Sequence, residues 1–440
     1  MSGPRDTRRR LLFAVSPVAA LLLLAECGAR LAGAPACEPI VPDASGWDTM
    51  VGDPKLLWKL EADREFQGPG GVTRINAVGL RTTLLPDTPR EAGEKRVVVT
   101  GDSSVYGWGQ PDGFSYAEQL ETVLDEMFPH TPIKVVNLGV PGYSTAQTIR
   151  LLDQTGWAYR PDLIVVHNIF SDANIDAFQD AEALALADPD GTPLRAALHA
   201  SRAYCAAYMP WARYQSTLNQ EPGRVLMPGI PTGANAAVTL ERVDTLVDLS
   251  RVPLERYLDN LEAIRRDAAA RGAAMLVAPL AQEFDVGLWS VPMPRPGPDQ
   301  VLPWFPYREA QQAWAQDAGV GRVDLPSAFA AETDNPEGLF IDTMHPSVRG
   351  AQVMAWAIAD HVRQHPSLLG LTASDVGPLP RRPQLPQIGP QRPPQGGKPR
   401  QPGMRQDGPS RAHDGTSRPT RARETTGGRP RPGAAGPVGP

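Results

Sequence analysis

The sequence predicts an α/β fold in which a parallel sheet of about five strands carries helices on both faces. Three observations lead there. Apolar runs at 96–100, 133–137 and 163–167 are short, rich in valine and isoleucine, and read as strands buried on both sides. Amphipathic stretches at helical spacing separate the runs, the pattern of strand–helix–strand units. A polar cluster follows each run, at the strand end where open α/β sheets bind their ligands.

The chain of 440 residues is 41% hydrophobic, enough to bury one large core or two ordinary ones. The net charge of −6 hides an asymmetry. From residue 371 onward there are 12 Lys+Arg against 4 Asp+Glu, which leaves 31 against 45 elsewhere. An acidic bulk argues against nucleic acid as a partner. The three cysteines, Cys27, Cys37 and Cys205, form no Cys-x-x-Cys, which argues against a zinc ribbon or a disulfide-rich scaffold.

Residues 1–36 read as a signal peptide or an N-terminal membrane anchor. Arg5, Arg8, Arg9 and Arg10 precede an apolar run at 11–25, and Ala34-Pro35-Ala36 stands before Cys37. Thr7 to Leu12 also resembles a twin-arginine export signal. The expected location is therefore outside the cytoplasm: periplasmic, extracellular or membrane-anchored, with membrane association through the N-terminus. Export would permit a Cys37–Cys205 disulfide. Residues 37–95 form a lead-in with a Gly-Pro-Gly-Gly turn at 68–71 and a short strand or loop at 76–81.

The region 96–366 holds the alternating pattern. Strands are expected at 96–100, 133–137, 163–167, 274–278 and 323–325. Helices are expected at 115–127, after Ser144 (in capping-box spacing with Gln147), at 254–271 and at 347–363. Residues 178–239 read as irregular. Residues 367–440 are rich in Pro, Arg, Gly and Gln, and read as a disordered tail that lacks the apolar area to offset its ordering entropy.

Acyl transfer needs a nucleophile, a base, a group that orients the base, and donors for the developing oxyanion. Ser103 follows the first strand in Gly101-Asp102-Ser103-Ser104, with Ser104 its competitor; Gly-Asp-Ser is also an ordinary turn tripeptide. His345 is the candidate base. Asp342, three residues earlier on the same turn, is spaced to reach its Nδ1. Gly142 leaves the second strand just before a helix and has no side chain to obstruct its N–H. His167 reads as a core histidine, and Trp108, Trp157, Trp304 and Trp314 as core or pocket lining. No metal-ligand spacing or phosphate-cradling loop is present in the sequence, so neither metal nor cofactor is expected.

Taken in order, Gly101-Asp102-Ser103, Asn137-x-Gly139-x-x-Gly142, a polar motif after the third strand, and Asp342-x-x-His345-Pro346 resemble the SGNH (GDSL-type) esterase family over roughly residues 96–365. The resemblance implies a flavodoxin-like three-layer α/β/α sandwich. It also implies hydrolysis of O-acyl esters through a Ser103–His345–Asp342 triad and an acyl-enzyme. Small-molecule, glycan or lipid esters are the implied substrates. The Ser103 and Gly142 N–H groups would be oxyanion donors. The family's third block, Gly-x-Asn-Asp, aligns with Ile169-Phe170-Ser171-Asp172, so Ser171 stands where the third donor is an asparagine. Asn174 and Asn168 are the alternatives. Two other readings share these residues: an O-acyltransferase of cell-surface glycans, and a glycan- or lipid-binding relative with an impaired site.

Overall fold

The computed structural model describes residues 4–38, 49–68, 70–175, 178–188, 192–220, 238–290 and 295–383. A long helix, α1 (Pro4–Leu31), comes first. The lead-in forms two antiparallel hairpins, β1 (Met50–Asp53) with β2 (Leu57–Leu60) and β3 (Arg64–Gly68) with β4 (Gly71–Ile75). The second hairpin pairs Gly68 with Gly71, the two ends of the expected turn. Residues 76–81 form a turn rather than a strand, because the Asn76 side chain accepts from the N–H groups of Val78 and Leu80.

The body follows the expected alternation. It runs through β5 (Lys95–Thr100), α2 (Ser103–Tyr106), α3 (Tyr116–Met127), β6 (Ile133–Asn137), α4 (Thr145–Gln154), β7 (Leu163–Val166) and α5 (Phe170–Ala173). After α6 (Asp180–Ala187), α7 (Pro193–His199) and α8 (Arg202–Gln220) come β8 (Val238–Thr239), α9 (Val243–Asp248), α10 (Leu254–Ala270) and β9 (Ala274–Val277). Then follow β10 (Gln300–Val301), which pairs with β8, α11 (Trp304–Ala318), β11 (Gly321–Arg322), α12 (Leu325–Ala330) and α13 (Val348–Gln364).

Five strands form one parallel sheet in the order β11-β9-β7-β5-β6. Counted along the chain this is 2-1-3-4-5, the flavodoxin-like order. The valines of β5 divide by parity. Val98 packs with Val136, Ile164, Leu261 and Ile264 on one face of the sheet. Val97 and Val99 pack with Leu120, Leu124, Met354 and Ile358 on the other. Each such side chain, fully buried, contributes about 1.5–3 kcal/mol relative to exposure. The two clusters make the helix–sheet–helix layers. The hairpins join the first cluster through Leu56, Leu60, Ile75 and Leu80, so the lead-in is integral to the core.

Three expectations change. The last strand lies at 321–322 rather than 323–325. The Val323 N–H still bonds to the Val277 carbonyl, but Asp324 caps α12 and Pro326 favours a helix start, so the strand stops short. Among its described residues the stretch 178–239 contains three helices, whose alanines are too small to mark one apolar face. Beyond 366 the chain stays packed for a further stretch: Leu369 is buried, and the Gly377 N–H donates to the Met127 carbonyl at 2.7 Å. Residues 384–440 of the expected tail lie outside the described residues.

Cys37 and Cys205 are joined by a disulfide across a sequence separation of 168. Near it, Glu26 of α1 caps the start of α8, accepting from the Ser201 hydroxyl (2.7 Å) and the N–H groups of Ala203 (3.1 Å) and Arg202 (3.2 Å). The Ser201 hydrogen bond leads in lowering its carboxyl to about 2. Among the described residues no helix is long and apolar enough to cross a membrane.

Candidate active site

Ser103 opens α2 directly beyond β5. Asp102 is the N-cap of that one-turn helix, and its side chain accepts from the Ser104 N–H at 3.0 Å. The far end of the turn is held from the lead-in. Arg81 is buried and donates to the carbonyls of Tyr106 (3.1 Å), Gly107 (2.7 Å) and Gln110 (2.7 Å). Three charge-assisted bonds to one turn fix where the serine stands. Gly139, at the exit of β6, passes so close that a Cβ there would lie 2.3 Å from the Tyr106 nitrogen.

The segment before α13 supplies the other two groups. Phe340 and Pro346 form a bridge that closes the loop between them, and the Ile341 N–H donates to the His345 carbonyl at 2.8 Å. One oxygen of Asp342 accepts the N–H groups of Met344 (2.9 Å) and His345 (2.8 Å). The other lies 2.6 Å from His345 Nδ1. His345 Nε2 lies 2.7 Å from Ser103 Oγ. Burial acts to raise the Asp342 carboxyl, but the hydrogen bond and charge of His345 outweigh it and hold the group below its usual range. An ionised Asp342 accepts a hydrogen bond from Nδ1–H, which fixes the tautomer of the neutral ring and leaves Nε2 to accept from the serine hydroxyl. Trp108 flanks the imidazole, with ring centroids 6.0 Å apart. The competing Ser104 hydroxyl turns away and donates to the Met344 carbonyl at 3.3 Å.

The loop after β6 is almost wholly bonded. The N–H groups of Leu138, Gly139, Val140, Tyr143, Ser144 and Thr145 all donate within the protein. Among the described residues the Gly142 and Ser103 N–H groups have no protein partner. Both residues are half-buried. Gly142 has φ +76°, a backbone conformation that favours glycine.

Ser171 lies in α5, and its hydroxyl is 3.4 Å from an Asp102 carboxylate oxygen. Burial raises the Asp102 carboxyl above its usual range. Asp172 is fully buried, accepts from the Thr145 N–H at 2.9 Å, and is raised to about 7 by burial. Asn168 is taken up in packing: its amide donates to the Tyr143 carbonyl and its oxygen accepts from Thr148. The Asn174 carbonyl accepts from the Arg251 N–H, and its buried side-chain oxygen has no partner among the described residues.

His167 sits in the core with Nδ1 2.8 Å from the Ala278 carbonyl and Nε2 3.0 Å from the Tyr116 hydroxyl. Burial lowers it to about 4 and keeps the ring neutral. Trp304 is buried, while Trp157 and Trp314 pack at the edge of the first cluster. Among the described residues no group of three or more His, Cys, Asp or Glu side chains is placed to hold a metal ion.

Sequence reasoning missed Trp58, Arg81, Asp180 and Arg251, which surround the site's backbone from distant parts of the chain. No local motif marks Trp58, Asp180 or Arg251, and the sequence reads Arg81 only as the end of the 76–81 strand or loop.

The model of the GDSL-like lipase/acylhydrolase family matches residues 99–353. Comparison with curated proteins gives no match. Among solved structures, an acetylxylan esterase from Geobacillus stearothermophilus is similar at 15% identity, covering 61% of this chain and 94% of its own, with a TM-score of 0.37. A lipase/acylhydrolase from Enterococcus faecalis is similar at 13% identity, covering 62% and 96%, also with a TM-score of 0.37. Neither likeness bears on what this chain acts upon. The family match spans more than half of the chain, from β5 into α13, and takes in the Ser103, Gly142 and His345 segments: the chain belongs to the GDSL-like lipase/acylhydrolase family of serine esterases.

Proposed function

We propose that the protein hydrolyses carboxylic esters through Ser103, His345 and Asp342. The observation that carries this reading is the continuous chain of short contacts, 2.7 Å from Ser103 Oγ to His345 Nε2 and 2.6 Å from Nδ1 to Asp342. In this mechanism Nε2 takes the hydroxyl proton as Oγ attacks the ester carbonyl. The tetrahedral oxyanion is held by the free N–H groups of Ser103 and Gly142. Collapse expels the alcohol, which receives the proton from Nε2, and leaves an acyl-enzyme on Ser103. Water, deprotonated by Nε2, then attacks the acyl carbonyl; the bond to Oγ breaks, Nε2 returns the proton to Ser103, and the acid leaves. Ser171 is the third donor of this reading. Its single proton is shared with Asp102, so it contributes less than an asparagine amide would.

The substrates of this reading are small-molecule, glycan or lipid esters. An exported location, with the N-terminus at a membrane, is part of the same proposal. It is supported by the Cys37–Cys205 disulfide, since such bonds persist in oxidising compartments. The test of function is turnover of short-chain aryl esters by the purified chain and by Ser103→Ala. Turnover that disappears in the variant supports the assignment; undiminished turnover overturns it.

A further inference from the structure

The Gly142 N–H belongs to the peptide that joins Pro141 to Gly142. The carbonyl of that peptide accepts from Trp58 Nε1 at 2.9 Å. A trans peptide is planar, so its C=O and N–H point in opposite directions. A donor that fixes the carbonyl therefore aims the N–H. The next peptide is held as well, because Arg251 Nη1 donates to the Gly142 carbonyl at 2.7 Å. Glycine at φ +76° would otherwise be the freest hinge of the loop.

Both anchors are themselves anchored. The Trp58 carbonyl accepts from the Tyr143 hydroxyl at 2.6 Å, so indole and loop bind each other reciprocally. Arg251 is gripped by both oxygens of Asp180 at 2.8 and 2.9 Å, and a further N–H donates to Gln147 Oε1 at 3.0 Å. The Arg251 and Asp180 side chains are 4% and 0% exposed. The Arg251 guanidinium lies over the Trp58 ring at 5.4 Å, which links the two anchors. Such a fork is specific to arginine; a lysine ammonium cannot bind a carboxylate at two points and a carbonyl at a third.

We infer that Trp58 and Arg251 are positioning residues that aim the Gly142 N–H at the developing oxyanion. The inference rests on the esterase reading above and deepens it. Oxyanion donors accelerate a reaction only when they are oriented beforehand, since a donor that must reorient gives up part of its benefit. Trp58 lies in β2, outside the 99–353 family match, and Arg251 lies between α9 and α10. The strength of the oxyanion site is thus set by two elements beyond the sheet that bears the nucleophile.

The test compares the full chain with Trp58→Phe, which keeps an aromatic ring and loses the donor, and with Arg251→Lys. Measured are kcat, KM, melting temperature, and affinity for a trifluoromethyl ketone, which forms a tetrahedral oxyanion on a nucleophilic serine. In folded variants kcat and ketone affinity should fall together by roughly ten- to hundredfold, with KM for the ester unchanged. If one variant fails to fold, the other gives the same readout. Unchanged kcat in either folded variant overturns the inference, as does a fall in kcat that only tracks the folded fraction. Ser103→Ala separates the two levels. If it abolishes turnover while the folded variants keep theirs, only the positioning role fails; if it retains turnover, both readings fail.

Discussion

The Ser171 hydroxyl lies 3.4 Å from an Asp102 carboxylate oxygen, so the residue that stands where the sequence reading expects an asparagine bonds to the N-cap of the helix that Ser103 opens. A hydroxyl carries one proton, and this one is shared between Asp102 and any oxyanion. Ser171→Ala should therefore lower kcat by less than about tenfold, against the 10²–10³ expected for a dedicated donor. Ser171→Asn should raise kcat at least several-fold. Steady-state kinetics on one aryl ester decides both, and a loss of a hundredfold or more in the alanine variant would make Ser171 a full oxyanion donor.

Asp342 has two jobs that substitution can separate. One oxygen holds the N–H groups of Met344 and His345, and the other faces Nδ1. In Asp342→Asn the amide oxygen can serve either job, but the carboxylate that fixes the imidazole proton is gone. The expected loss in kcat is roughly 10³–10⁴ with an unchanged circular dichroism spectrum. A loss of less than tenfold would mean that the carboxylate does not orient the base.

His167 makes stability pH-dependent. Above pH about 6.5 the ring is neutral in both folded and unfolded chains. As the pH falls from about 6.5 to about 4, the unfolded chain takes up a proton that the buried ring refuses, so stability falls. Below about 4 both forms are protonated and the loss levels off, at up to about 3 kcal/mol. Urea midpoints from pH 7 to about 4 should show this component in the wild type and not in His167→Gln. Parallel curves for the two proteins would contradict it.

The Cys37–Cys205 bridge ties the segment after α1 to α8. Reduction should lower stability by about 2–4 kcal/mol. Calorimetry with and without reductant should show a lower melting temperature for the wild type and no change for Cys37→Ala. A reductant effect of equal size in both would place its cause elsewhere.

The sheet was legible because its strands are local apolar runs, and β5 and β6 match expectation within a residue. The capping-box spacing of Ser144 and Gln147 was legible too. Ser115, read only as part of the helix at 115–127, forms a capping box with Glu118. At α4 the Gln147 side chain accepts from the Ser144 N–H, while the Ser144 hydroxyl goes instead to Asp180. That diversion explains what could not be read. Asp180, Arg251 and Trp58 reach the Gly142 loop across sequence separations of 36 to 109 residues, and nothing in their neighbourhoods specifies those partners. The two-residue β11 was misplaced for a different reason: Val323 pairs with β9 through one N–H but stands at the start of a capped helix. The sequence indicated Ser103, His345 and Asp342, which the fold brings together, whereas the groups that hold their surroundings emerged only from packing.

The central claim, that His345 activates Ser103, is tested most directly by fluorophosphonate labelling of the purified chain followed by peptide mapping. The account predicts one phosphonylated residue, Ser103, and loss of that label in His345→Ala. Labelling at Ser104 or another serine, or undiminished labelling of Ser103 without His345, would contradict it.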